Sequence, residues 1–123
     1  MGNNELTEKI IGAAIEVHRE LGPGLLESAY SQCLARELYL RGIAFILEKP
    51  IPVEYKGTKL DCAYRIDLLV EERVLIELKS VEMIADIHIA QLLTYMKIAK
   101  IRIGLIINFN VKLLKDGIRR FVL

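Results

Sequence analysis

Apolar residues recur with a helical period at the start of the chain. Over residues 6–21 they fall at Leu6, Ile10, Ala13, Ala14, Val17 and Leu21, while Glu8, Lys9, Glu16, Arg19 and Glu20 fill the other side. Gly22-Pro23-Gly24 stops this helix, because glycine takes a left-handed cap and proline cannot continue the ladder. The same period predicts a second helix over 25–40, with Leu26, Ala29, Tyr30, Cys33, Leu34 and Leu38 on its apolar side and Arg41-Gly42 closing it. So short a link packs two helices as a hairpin. From Phe45 the period changes. Residues 51–55 read as a strand, at a sheet edge or a strand start because of Pro50 and Pro52. Lys56-Gly57-Thr58 is a turn, 60–70 and 73–79 are two central strands, and 85–99 is a third helix. A buried strand over 103–109 and a short one over 118–122 complete the order ααβββαββ. This is an α/β mixed sheet flanked by helices. Strand, helix and strand in succession imply parallel strands joined by a right-handed crossover.

Charges interrupt the two central strands at Asp67, Glu77 and Lys79. Ionisable groups set into apolar strands are costly unless they are paired, metal-bound or used. Strand alternation puts Glu77 and Lys79 on one face and Val74, Ile76 and Leu78 on the other. In the preceding strand it separates Arg65 and Asp67 from Ile66, Leu68 and Val70. A three-residue loop, Glu71-Glu72-Arg73, sets Val70 opposite Val74 and therefore Asp67 opposite Glu77, with side-chain stems roughly 5 Å apart. A two-residue loop would set Asp67 beside Leu78 and mix the faces, so the apolar pattern selects the odd length. Two carboxylates that close repel unless a cation lies between them. Oxygen donors suit Mg²⁺ or Mn²⁺, and a nearby lysine can orient or deprotonate a metal-bound water, which fits phosphodiester hydrolysis. The alternative is a buried ion-pair cluster in which Lys79 neutralises one acid and Arg65 the other.

At 123 residues the chain makes one domain, residues 1–123, with a single core. Hydrophobic residues reach 53% and mean hydropathy is +0.32, which calls for a well-filled core or an apolar surface covered by another subunit. Net charge is +1, so no strong overall field attracts nucleic acid. The last thirty residues nonetheless hold seven Lys/Arg against one acid, Asp116. Such a basic third could meet phosphates or be a solvated face. Cys33 and Cys62 stand in no ligand spacing, so free thiols in a reducing compartment are expected. The first residues lack a signal-peptide pattern, and Leu6 stands where myristoylation wants Ser or Thr. No apolar run nears the ~20 residues that span a bilayer. The expectation is a cytoplasmic protein with no membrane partner.

Asp67, a short hairpin and Glu77-Leu78-Lys79 together resemble the D…(D/E)xK signature of the PD-(D/E)xK nucleases. Gly24-Leu25-Leu26-Glu27-Ser28-Ala29-Tyr30 is similar to the GxxExxY pattern that names one branch of small prokaryotic proteins. Val17-His18, Leu21-Gly22-Pro23-Gly24, Ile51-Pro52-Val53, His88-x-x-Gln91-x-x-x-Tyr95 and Ile107-Asn108-Phe109-Asn110 extend the resemblance nearly end to end. It implies a restriction-endonuclease-like fold and a divalent-metal-dependent nuclease acting on DNA or RNA. It also implies metal ligation by Asp67, Glu77 and the Leu78 carbonyl, with Lys79 positioning the attacking water. Glu27 resembles the extra helical acid directed at the metal in many members, although a first-turn glutamate also suits the helix dipole. Gln91-x-x-x-Tyr95 resembles the QxxxY motif of RecB-type nucleases. At about 100° per residue, His88, Gln91 and Tyr95 share one helical edge, which suits substrate binding. Arg65 would contact phosphate or pair with an acid. His18, among Ala14, Ile11 and Leu21, reads as a satisfied, supporting side chain. Ile66 departs from the family proline, a position that does no chemistry. With no helix-turn-helix or zinc module in view, specificity would come from a homodimer, a protein partner or nucleic-acid structure. The rival reading is a binding module that keeps the fold without catalysis.

Overall fold

The computed structural model describes residues 1–61 and 64–123, so Cys62 lies outside the described residues and only Cys33 is placed, as a free thiol. Helices α1 (Asn3–Leu21) and α2 (Glu27–Leu40) precede five strands: β1 (Phe45–Pro50), β2 (Val53–Tyr55), β3 (Thr58–Leu60), β4 (Arg65–Val70) and β5 (Val74–Lys79). Helix α3 (Asp86–Ala99), strand β6 (Ile103–Asn108), a 3₁₀ turn (Leu114–Gly117) and β7 (Ile118–Val122) follow. The main sheet runs β1-β4-β5-β6-β7, with β5 and β6 parallel and every other pair antiparallel. The expected mixed sheet flanked by helices is therefore present.

Its strand count before α3 differs from the sequence reading: five, where the period suggested three. Lys56 and Gly57 both take positive φ, 47° and 83°, which closes a two-residue turn of the hairpin type. That turn pairs β2 with β3 as a separate ribbon. The strand expected over 51–55 is present as β2 from Val53, residues 51 and 52 belong to no strand, and β1 from Phe45 and β3 from Thr58 are the strands the sequence reading did not assign. The prolines keep their meaning: Pro50 ends β1, and β1 is a sheet edge, where a missing N–H leaves no gap in an inner ladder.

Apolar side chains on the two sheet faces form two clusters. Val74, Ile76 and Leu78 of β5 pack with Leu6, Ile10, Leu34 and Leu38 of α1 and α2. Leu75 packs with Leu92, Tyr95 and Met96 of α3. Gly104 of β6 lets α3 approach, since a side chain there would meet Met96 and Leu92. Strict alternation fails at one place: Ile66 joins the α3-side cluster, while Leu68 and Val70 join the other. The irregularity coincides with Asp67, which pairs with neither neighbouring strand, and with Glu48 across from it, held at φ 49°.

The α1–α2 link is tied down from both sides. Gly22, at φ 70°, donates its N–H to the His18 carbonyl. Fully buried Tyr30 stacks on Phe109 with centroids 4.3 Å apart, and its hydroxyl donates to the Gly22 carbonyl and accepts from the Leu25 N–H. His18 donates from Nε2 to the Val111 carbonyl at 2.8 Å, the satisfied role expected of it.

Candidate active site

The β4–β5 loop is the three-residue Glu71-Glu72-Arg73, with Val70 opposite Val74, Leu69 opposite Leu75 and Leu68 opposite Ile76. Glu71 and Glu72 take φ near 55°, and Glu71 is held by a hydrogen bond from the Ala44 N–H to its Oε1. The register expected from loop length is the one observed. Beyond Leu68 and Ile76 the backbone pairing lapses and side chains take its place. Asp67 Oδ2 accepts the Leu78 N–H at 2.8 Å, and Glu77 Oε1 accepts the Asp67 N–H at 3.4 Å. The two carboxylates thus interlock across the open end of the hairpin.

Their surroundings disfavour charge. Glu77 is only 6% exposed. Burial first, then the neighbouring Asp67 charge, push its carboxyl from 4.5 up to about 8, against the opposing pull of Lys79. Burial also raises Asp67, resisted by the Leu78 N–H, the contact with Glu77 and the Lys79 charge. Without a cation, burial and the neighbouring Asp67 charge favour a neutral Glu77 carboxyl at neutral pH. Among the described residues the salt bridges are Lys9–Glu5, Arg19–Glu16 and Arg41–Glu37, all on helices. None includes Asp67, Glu77, Lys79 or Arg65, so the ion-pair-cluster alternative is not what the fold builds. Arg65 reaches the Glu48 backbone carbonyl at 3.5 Å instead.

A cavity of about 370 Å³ opens on Asp67 and is lined also by Glu27, Ser28, Gln32 and Glu48. Glu27, from the first turn of α2, therefore reaches the same cavity as Asp67. Its position is fixed through the preceding link, because Ser80, next after Lys79, donates its hydroxyl to the Leu25 carbonyl at 2.6 Å. Glu48 is an acid the sequence reading missed. It was legible by the same criterion as Asp67, a charge after the apolar run Phe45-Ile46-Leu47, but only β1–β4 pairing brings it opposite.

On the other side, Tyr95 is nearly buried. Its phenol is raised by burial and next by the charge of Glu77, which places it within electrostatic reach of the acids. Gln91 donates from Nε2 to the Tyr95 hydroxyl at 2.8 Å, so the helical edge expected to be shared is shared. His88 uses Nδ1 to accept the Ala85 N–H, capping α3. Asn108, beside Lys79 in the parallel register, is a supporting residue that the sequence reading quoted without a role. Its Oδ1 accepts the Val81 and Asn110 N–H groups and its Nδ2 donates to the Val81 carbonyl, clamping the chain that leaves Lys79.

Among the described residues no three His, Cys, Asp or Glu side chains gather as a self-sufficient metal cage. The donor set nevertheless fits a hard divalent ion: buried Glu77 and half-buried Asp67 repel each other, with further acids around an open cavity that leaves room for water ligands. The basic C-terminal third lies elsewhere, with Arg119 and Arg120 on β7 at the opposite sheet edge from β1.

A family model described as the PD-(D/E)XK nuclease superfamily matches residues 4–121. No match was found among curated proteins or among solved structures.

Proposed function

Because the chain belongs to the PD-(D/E)XK nuclease superfamily, whose nucleases generally use divalent metals, we propose that it is a metal-dependent nuclease hydrolysing phosphodiester bonds in DNA or RNA. One observation carries this reading: buried Glu77 and half-buried Asp67 interlock and, among the described residues, form no salt bridge with a cationic side chain. Asp67, Glu77 and the Leu78 carbonyl would hold Mg²⁺ or Mn²⁺, with Glu27 as an additional ligand from the shared cavity. The cation, when bound, supplies Lewis acidity to the phosphate and acidity to a bound water. Lys79, on the Glu77 face of β5, would orient the attacking water and stabilise the charge that develops on the phosphate. Gln91, Tyr95 and His88 position the nucleic acid along α3, and Arg65 supplies a phosphate contact near Glu48. On this reading the chain acts as one domain over residues 1–123, of the GxxExxY branch, in the cytoplasm. Exposed Leu26, Met83 and Ile87 favour assembly as a homodimer or with a protein partner.

The direct test is calorimetric titration with Mn²⁺ of wild type and Asp67→Ala, followed by incubation with mixed nucleic acids. Saturable binding lost in Asp67→Ala, with cleavage lost in both Asp67→Ala and Lys79→Ala, is the expected result. Cleavage that survives both substitutions rejects this site. Metal binding without cleavage of any nucleic acid favours a binding module that has kept the fold.

A further inference from the structure

A second cavity, of about 440 Å³, lies against α3 and is lined by Tyr95, whose phenol feels the charge of Glu77. Its walls are Tyr64, Ile87, Ile98 and Val53, and Gln91 and Thr94 bring polar groups to it. Tyr64 is 45% exposed and stands tilted on Tyr95, ring centroids 6.1 Å apart, which fixes its ring while leaving part of it open. Ile87, 71% exposed, stands at the same cavity. Among the described residues no Lys, Arg, Asp or Glu lines it, and its one ionisable side chain besides the tyrosines is His88, whose Nδ1 already accepts the Ala85 N–H. The cavity beside Asp67, by contrast, is lined by acids suited to a cation.

We propose that this cavity seats one unpaired nucleobase next to the scissile phosphate, making the substrate class single-stranded or locally unpaired polynucleotide. The proposal rests on the nuclease reading for its phosphate but on the cavity for its base. A nucleobase has the two features the walls match, an apolar π-face and a rim of donors and acceptors. Tyr64 offers the aromatic surface and Ile87 the aliphatic one. Gln91, whose Nε2 is taken by Tyr95, keeps its carbonyl oxygen for a base edge, and the Tyr95 hydroxyl, already an acceptor, keeps its proton to donate. A base paired inside a duplex is stacked on both faces and cannot enter.

The test uses short oligonucleotides carrying 2-aminopurine, in deoxyribose and ribose versions, either single-stranded or fully paired. Wild-type protein with metal chelated is titrated into each while 2-aminopurine fluorescence is read. Quenching of the single strands but not the duplexes is expected, as is affinity weakened about 5- to 100-fold in Tyr64→Ala. Tyr64→Phe should restore both signals, and Ile87→Ala should weaken binding less. Equal affinity for paired and unpaired strands, absence of quenching, or indifference to Tyr64→Ala overturns the proposal. The same oligonucleotides are then incubated with Mn²⁺ and run on gels. Quenching without cleavage keeps the base site and rejects the nuclease; equal cleavage of duplex and single strand without quenching does the reverse. The ribose and deoxyribose arms tell RNA from DNA.

Discussion

The two ends of one hairpin, β4–β5, carry opposite chemistry. At the closed end, Val70 and Val74, Leu69 and Leu75, and Leu68 and Ile76 pair backbone to backbone with fully or almost fully buried apolar side chains. At the open end the backbone pairing lapses and side chains bridge the strands, Asp67 accepting the Leu78 N–H and Glu77 the Asp67 N–H. The closed end contributes stability by burial. The open end holds two acids whose charged forms burial disfavours, an arrangement that a metal ion turns to use. The closed end sets the register that the open end needs, so the two roles are divided along a single element.

Asp67→Asn breaks the comparison most sharply. It keeps an oxygen for the Leu78 N–H but removes a ligand charge. Cleavage in Mn²⁺ should fall by at least about a thousandfold, roughly 4 kcal/mol of transition-state stabilisation, with urea unfolding of the apo protein little changed. Ile76→Ala is the converse. Fully buried, it should lose about 3 kcal/mol in chemical denaturation while the remaining folded protein cleaves normally.

The pH dependence sharpens the contrast. Glu77 titrates at 4.5 when unfolded and at about 8 when folded, so the unfolded chain releases its proton first. Below 4.5 the group is neutral in both states and contributes no penalty. As pH rises from 4.5 to 8 the metal-free protein therefore loses stability, and above 8 the loss levels off. Urea midpoints measured with chelator across that range should fall for wild type and stay flatter for Glu77→Gln. The smallest effect is expected from Tyr95→Phe, which removes the Gln91 contact. It should lower stability by about 1 kcal/mol and raise KM for nucleic acid more than it lowers kcat.

Much of this was legible because the relevant spacing is local. The α1 pattern, the Gly22 stop, the β4–β5 loop length and the polar parity of Glu77 and Lys79 each need only a few neighbouring residues. Together they place Asp67 beside Glu77 without knowledge of anything else in the chain. The strand near 53 and the turn at Lys56-Gly57 were legible; β1 over 45–50 was not, because its pairing with β4, some twenty residues on, is what makes it a strand of the main sheet.

Sequence alone thus determined the fold class, the hairpin register and the pairing of the two acids, since period and loop length act within one stretch of chain. Tertiary structure decided what surrounds them. Glu48 faces Asp67 only because an edge strand folds back, Glu27 shares that cavity because Ser80 and Tyr30 fix the α1–α2 link, and Tyr64 meets Tyr95 across thirty-one positions. Contacts at such separations depend on how whole elements pack, and no local spacing encodes them.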